Sequence, residues 1–374
     1  MNKMYNDYEV ELTTLGPVHI GSFEKLTKKE YIYNLNDHSI RIVDMPKLYK
    51  ILIENSLDDK YNEFILNKDE KDLYKFLKEN NIKDFKRFTK YIFDISKVLT
   101  DYKPFDIECF VKNAFQKLYI PGSSLKGVIR TAFINYNILE NKDEYKDIKY
   151  KIAEQVYSLE NDSKAKIYTN NIEEKIMDLI EHNDDNRYSN GQKDIFRFLR
   201  ISDSQPIDNE NIVCVPKIDI PYRIDRRNKK ENKIDILKEC IKPGVKIKLN
   251  LRIEDNNFFN IETIENAIKK SYDIYYENFV SKFNDFYKEK DNNIIYLGGN
   301  IGFSNKTIIN SLFYKENNNE DVVEISKEIL NNNKCSMGKH KNDKYVSPRM
   351  LKATKYDGKT YEFGKCRIDL KKIK

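Results

Sequence analysis

A chain of 374 residues exceeds what one hydrophobic core usually fills, so two domains are expected. With 40% apolar and 34% charged residues it reads as a folded protein with a heavily ionised surface, which excludes global disorder, and its apolar runs are too short for a membrane span. Lys and Arg number 66 against 60 Asp and Glu, and the resulting net charge of +6 names no partner by itself.

Residues 8–15 (YEVELTTL) alternate apolar Val10 and Leu12 with polar neighbours, the period of a half-buried strand, and stop at Gly16-Pro17. A tight turn over 18–22 follows, then a hairpin of 30–34 and 39–43 about Asn36-Asp37. His19 beside Gly21-Ser22 has two readings, a phosphate or acid–base contact and a structural histidine. Residues 45–100 change to helical spacing, with Leu48, Ile51 and Leu52 on one face and Phe85, Phe88 and Ile92 on another, so an all-helical insert is expected.

Strand signal returns at 107–111 and 115–120, with Lys112 and Asn113 in the turn, and leads into YIPGSSLKGVIR at 119–130. Ser123 or Ser124 is placed to cap the helix that starts there. Its open first-turn amides, with Lys126 and Arg130 at helical spacing, would suit a phosphate; an ordinary capped strand-turn-helix is the other reading. The Walker pattern fails, because Val128 and Ile129 follow Gly127 where Lys and Ser or Thr are required.

Residues 141–190 are again helical and densely charged, a second insert. Strands are expected at 195–201 and 212–220, then at 234–241 and 245–253 about the Lys242-Pro243-Gly244 turn. Between these pairs lies the basic run 222–233, with Arg223, Arg226 and Arg227; a second basic run covers 334–355, with Lys339, His340, Lys344 and Arg349. Together the two runs carry +10, more than the whole chain, which favours phosphate-facing loops over a merely solvated face.

A long amphipathic helix over 261–288 precedes YLGGNIGFSNKT at 296–307, where Gly298, Gly299 and Gly302 permit close backbone approach. The Rossmann fingerprint is not met, since Leu297 stands where a glycine is needed. A further helix is expected at 306–314. Strands at 350–355 and 360–370 flank Asp357-Gly358, a hairpin signal. The five cysteines are scattered without metal-ligand spacing, and the first ten residues lack the apolar core of a signal peptide, so a reduced, cytoplasmic setting with no metal or cofactor is expected.

Strands surround helices in each half, the pattern of an α+β fold. The economical arrangement is a duplicated ferredoxin-like unit. One domain would span 1–220 with helical inserts near 45–103 and 141–192, and a second 221–374 with the glycine-rich loop.

LTTLGPVHIGS near the start, YIPGSSLKGVIRTAF in the middle, and YLGGNIGF followed by YVSPRMLKATK resemble the RAMP superfamily of CRISPR effector subunits. Within it, their order is similar to that of the type III-A (Csm) subunit that caps the crRNA 3′ end of the complex. The resemblance implies two modified RRM-like, ferredoxin-like domains in a non-catalytic subunit that binds crRNA, a neighbouring backbone RAMP subunit and other Csm subunits. It also implies a part in crRNA maturation, with trimming by separate nucleases. RNA contact is carried onto Ser123, Ser124, Lys126 and Arg130, and onto His19, Gly298, Gly299, Asn300 and Arg349. The target-cleaving relatives use an aspartate shortly after the first strand, where this chain reads GSFEKLTKK. The alternative is a metal-independent endoribonuclease of the crRNA-processing type built on His19, since a 2′-hydroxyl needs only acid, base and charge stabilisation. The 26 Tyr and 20 Phe residues offer stacking faces for single-stranded RNA.

Overall fold

In the computed structural model, residues 4–34, 36–67, 72–98, 105–158, 194–222, 231–283, 290–316, 318–331 and 338–373 are described. The elements run β1 (Tyr5–Thr14), β2 (Gly21–Leu26), β3 (Tyr31–Asn34), β4 (Ser39–Val43), α1 (Met45–Glu54), α2 (Asp58–Leu66), α3 (Leu73–Glu79), β5 (Thr89–Asp94), β6 (Asp106–Phe110), α4 (Gly122–Glu140) and α5 (Lys146–Ser158). They continue with β7 (Leu199–Ile201), β8 (Ile212–Pro221), β9 (Asn232–Ile241), β10 (Lys246–Glu254), α6 (Ile261–Asn278), β11 (Ile294–Tyr296), α7 (Glu320–Asn331), β12 (Met350–Tyr356), β13 (Lys359–Glu362) and β14 (Lys365–Lys372).

The alternation read in β1 sets the first layer. Val10 and Leu12 point inward and pack with Leu249, Leu251, Leu125, Ile129, Ile264 and Ile268 in the main core. Burying each such side chain contributes about 1.5–3 kcal/mol. On the other face Asp7, Glu9 and Glu11 pair across the strands with Arg252 at 2.6 Å, Lys248 at 3.0 Å and Lys246 at 3.0 Å. Exposed pairs of this kind contribute about 0–1 kcal/mol each, so the burial, not the charge ladder, fixes the register.

This five-stranded sheet has the order β11-β14-β1-β10-β7. Taken along the chain, β1-α4-β7-β10-α6-β14 is a β-α-β-β-α-β unit whose four strands lie β14-β1-β10-β7, all antiparallel, with α4 packed against α6. The second sheet has six strands in the order β13-β12-β8-β9-β6-β2. Its Ile218, Ile220, Leu351 and Ala353 pack on Tyr272, Tyr275 and Phe279, so α6 and its C-terminal end serve both sheets. Both sheets take strands from either side of residue 220, and neither is confined to one of the expected domains.

Several expectations change. Residues 45–98 are not all-helical: after α1–α3, Phe88 fills the insert core with Leu48, Leu52, Phe64 and Phe76, and 89–94 is a strand on β4, with Ile42 opposite Tyr91 and Ile40 opposite Phe93. Ile92 is exposed and Phe93 buried, the alternation of a strand overriding the helical spacing read there. The turn expected at 18–22 is an extended passage into edge strand β2, which pairs with β6. The strand expected at 115–120 contributes only bridges of Leu118 to Lys112 and Ile207. The helix expected at 306–314 is two single turns, Phe303–Lys306 and Ile309–Leu312. The long helix ends at Asn278 and continues as one tighter turn. The second insert is described only through α5.

Candidate nucleic-acid interface

At the start of α4 the caps differ from expectation. Pro121 holds the cap position with no side-chain cap bond, while Ser123 and Ser124 lie inside the first turn. The Gly122 amide donates to Asp203 Oδ1 at 2.8 Å, so the anion favoured at a helix start is supplied by the chain itself. A Cβ on Gly122 would lie 2.3 Å from the Ile201 carbonyl oxygen, and only glycine lets the helix start approach β7 this closely. Arg130 is held by Asp194, Nη1 to Oδ2 2.7 Å, and covers the Phe196 ring at 5.4 Å. Burial lowers the Lys126 pKa against the pull of Asp194, and Arg130 and Arg200 lower it further.

His19 is 2% exposed. Its Nδ1–H donates to the Glu239 carbonyl at 2.7 Å, which leaves Nε2 as the acceptor, 3.9 Å from Glu108 Oε2. Burial is the main cause of its lowered pKa; the Glu239 hydrogen bond and Glu108 oppose it, while Lys238 adds to it. The folded protein therefore binds this proton less readily than the unfolded chain, whose histidines titrate near about 6.5. Stability is full above that range and falls as pH drops through it, by up to about 1.4 kcal/mol per pH unit for one such group. Urea unfolding at pH 7.5 and 5.5 should show this loss in the native protein and a smaller one in His19→Asn; equal losses would place the sensitive group elsewhere.

The glycine loop grips the same residue by its backbone. The Gly299 amide donates to the His19 carbonyl at 2.7 Å, and Gly298, at φ +89, brings its Cα so near that a Cβ would lie 2.2 Å from that oxygen. Asn300 continues the turn at φ 63.

These segments, far apart in sequence, border one cleft of about 820 Å³. His19, Ser123, Ser124, Gly298, Gly299 and Asn300 all line it. So do Phe23, Lys25, Glu108, Asn135, Tyr272 and Lys306, which sequence reasoning had not singled out. Two atoms on lining residues, Asn135 Oδ1 and Tyr272 OH, are buried with no hydrogen-bond partner among the described residues. Lys306 reaches the rim without an ion-pair partner among those residues, its pKa lowered by desolvation. Lys126 and Arg130 do not line the cleft. Arg349 is also elsewhere, its Nε 2.5 Å from Oδ1 of the fully buried Asp343, which accepts from Ser347 Oγ at 2.8 Å and lies 2.9 Å from His340 Nδ1. Arg223, Arg226 and Arg227 lie outside the described residues.

From the cleft a row of charges crosses the second sheet. Lys25 lies 3.6 Å from Glu108, buried Lys238 contacts the same carboxylate, and Lys352 meets Asp219 at 2.7 Å. Burial would raise the Glu108 pKa, but the Lys238 hydrogen bond and charge override it and hold it low. Lys217 stands beside this row with no ion-pair partner among the described residues, its pKa lowered by burial and by Lys352. A sequence signal existed: Lys217 and Lys238 interrupt apolar strands at positions that would otherwise carry core residues. Among the described residues no group of three His, Cys, Asp or Glu is placed to hold a metal ion, and no helix is long and apolar enough to cross a membrane.

Comparison with known proteins agrees with this architecture. A relative from Enterococcus italicus named CRISPR system Cms protein Csm5 is 26% identical over 405 residues, covering 98% of each chain. A Streptococcus thermophilus protein of the same name is 27% identical over 322 residues, 82% of each. The fold is that of a chain in the cryo-EM structure of a Csm–crRNA–target RNA ternary complex of a type III-A CRISPR-Cas system, with TM-score 0.64 at 18% identity over 97% of this chain and all of that one. The crystal structure of T. onnurineus Csm5 superposes with TM-score 0.59 at 17% identity, covering 96% and 99%. The RAMP superfamily profile matches residues 11–332, most of the chain. The chain belongs to the RAMP superfamily.

Proposed function

We propose that this chain is a non-catalytic crRNA-binding and assembly subunit of a type III-A CRISPR complex, acting in the cytoplasm, capping the crRNA 3′ end and needed for its maturation. The observation that carries this reading is the cleft, where the helix start, the His19 segment and the glycine loop meet. Its wall mixes serine, threonine and asparagine side chains with apolar and tyrosine ones, two buried polar atoms there are unpaired among the described residues, and its lining includes Lys306 and Lys25. Such a surface suits a ribose–phosphate chain with exposed bases. The names and structures of the relatives above support the choice of complex, and with it crRNA and other Csm subunits as partners; a neighbouring backbone RAMP subunit and trimming nucleases are further partners in our reading. We read the β-α-β-β-α-β unit as a ferredoxin-like core, and the 1–220 and 221–374 halves as RAMP domains that share strands.

The competing reading, metal-independent cleavage centred on His19, has the burial of that residue against it. Its Nδ1 and its carbonyl are already engaged by Glu239 and Gly299.

The tagged protein should bring down short RNAs with a common repeat-derived 5′ end together with its partner subunits; recovery free of RNA would sink the assignment. Lys306→Ala should lower the slope of log K against log salt for single-stranded RNA by about 0.7, the value for one phosphate contact. An unchanged slope would remove Lys306 from the interface.

A further inference from the structure

Phe23 is the most exposed large apolar side chain among the described residues, fully open to solvent. It sits on β2 where the pairing with β6 slips. Gly21 faces Phe110 and Lys25 faces Glu108, so Ser22, Phe23 and Glu24 together oppose the single residue Cys109. Ser22 Oγ closes the bulge by donating to the Cys109 carbonyl at 3.3 Å and accepting from the Glu24 amide at 3.3 Å. The apex residue is driven to φ 68, a left-handed conformation that a β-carbon disfavours.

A bulge on an edge strand has a plain structural use, since it blocks pairing with another sheet edge. A polar residue or glycine would serve that purpose better. A bare phenyl ring in a disfavoured conformation is the opposite choice, and this one lines the mouth of the cleft beside Lys25. Its flat face is open, the exposed Lys25, 3.6 Å from Glu108, is two residues away, and the cleft it borders is lined by serine and asparagine side chains as well as apolar ones.

We propose that Phe23 is a stacking platform for one unpaired nucleobase of single-stranded RNA at the cleft entrance. The proposal rests on the RNA-binding reading above and adds the residue that orders the strand there. Stacking on an aromatic ring is tolerant of base identity, so the platform sets the path of the RNA and not its sequence. Duplex RNA, whose bases are already stacked, offers it nothing.

The test uses the full-length protein and a fluorescein-labelled decamer of uridine in an anisotropy titration, with thermal melts of the same samples. Phe23→Ala should weaken binding about 5- to 150-fold, the range for loss of one stacked base. Phe23→Trp should bind within about twofold of the native protein, and Phe23→Leu should bind as weakly as the alanine variant. Phe23→Gly should raise the melting temperature while binding as weakly, because it relieves the left-handed strain. A decamer with 5-iodouridine at single positions should photocross-link to the peptide containing Phe23. Native affinity in Phe23→Ala, while the native protein binds the decamer, would overturn the platform and leave the RNA reading standing. Leucine restoring binding as well as tryptophan, or loss of subunit assembly with RNA binding intact, would mark an apolar protein contact and overturn it too. A native protein that binds no RNA at all would remove both.

Discussion

Gly298→Ala is expected to lower the folding free energy by about 3 kcal/mol or more, whereas the same substitution at Gly127 should raise it. At Gly298 the left-handed φ costs an alanine about 1–2 kcal/mol. Its Cβ would also meet the His19 carbonyl oxygen at 2.2 Å, so the loop must retreat and the 2.7 Å bond from the Gly299 amide is lost. That bond adds about 0.5–1.5 kcal/mol. Gly127 lies exposed on α4, where an added Cβ meets nothing within 4 Å, and alanine there gains about 0.5–1 kcal/mol of helix propensity. Urea unfolding measures both. RNA affinity should fall in the Gly298 variant even under conditions where it remains folded, because Asn300 and Lys306 move with the loop. Equal stabilities for the two variants would mean that the loop does not grip His19 as described.

The local elements that sequence patterns reveal best are those whose burial is one-sided. β1 and α4 were legible because alternation or helical spacing survives where one face meets the core, and the β3–β4 and β12–β13 hairpins because Asn36-Asp37 and Asp357-Gly358 mark their turns. Residues 89–94 were not, since Phe85, Phe88 and Ile92 sit at spacings that also fit a helix; the pairing of Tyr91 and Phe93 with β4 decides it. The interleaving of the sheets was out of reach for another reason. β1 pairs with residues 246–254 and 366–372, and no local pattern records a partner that far along the chain.

The cleft gathers the loop residues that the sequence singled out and leaves out Lys126, Arg130 and Arg349. Of the glycines read as permitting close backbone approach, Gly298 makes one, since a Cβ there would lie 2.2 Å from the His19 carbonyl oxygen. The three cations lie off the cleft, because charge read along a sequence does not record which face a cation takes. At about 100° per residue, Lys126 and Arg130 lie on a different side of α4 from Ser124, Thr131 and Asn135, and Asp194 waits on that side. Arg349 likewise faces Asp343. Lys306 and Lys217, which have no ion-pair partner among the described residues, lie at the end of the glycine segment and within β8.

Glu239→Ala should be among the most damaging single changes in the second sheet, at about 3–5 kcal/mol. The carboxylate is 1% exposed, accepts from the Phe110 amide at 2.9 Å and meets Lys112 Nζ at 2.9 Å, while Lys112 itself is only 12% exposed and otherwise has the Tyr91 hydroxyl at 2.7 Å. Removing the carboxylate strands a buried ammonium and an unpaired amide together. Glu239→Gln keeps an acceptor for the amide and isolates the charge effect. Adding Lys112→Met to it should recover about 1–2 kcal/mol, because a methionine needs no counter-charge. In all three variants the Glu239 carbonyl remains to accept from His19, so RNA affinity per folded molecule should stay within about threefold of the native value. A double variant no more stable than Glu239→Gln would show that Lys112 is already solvated by other means. A selective loss of RNA binding would show that the Glu239–Lys112 pair belongs to the cleft and not only to the sheet beneath it.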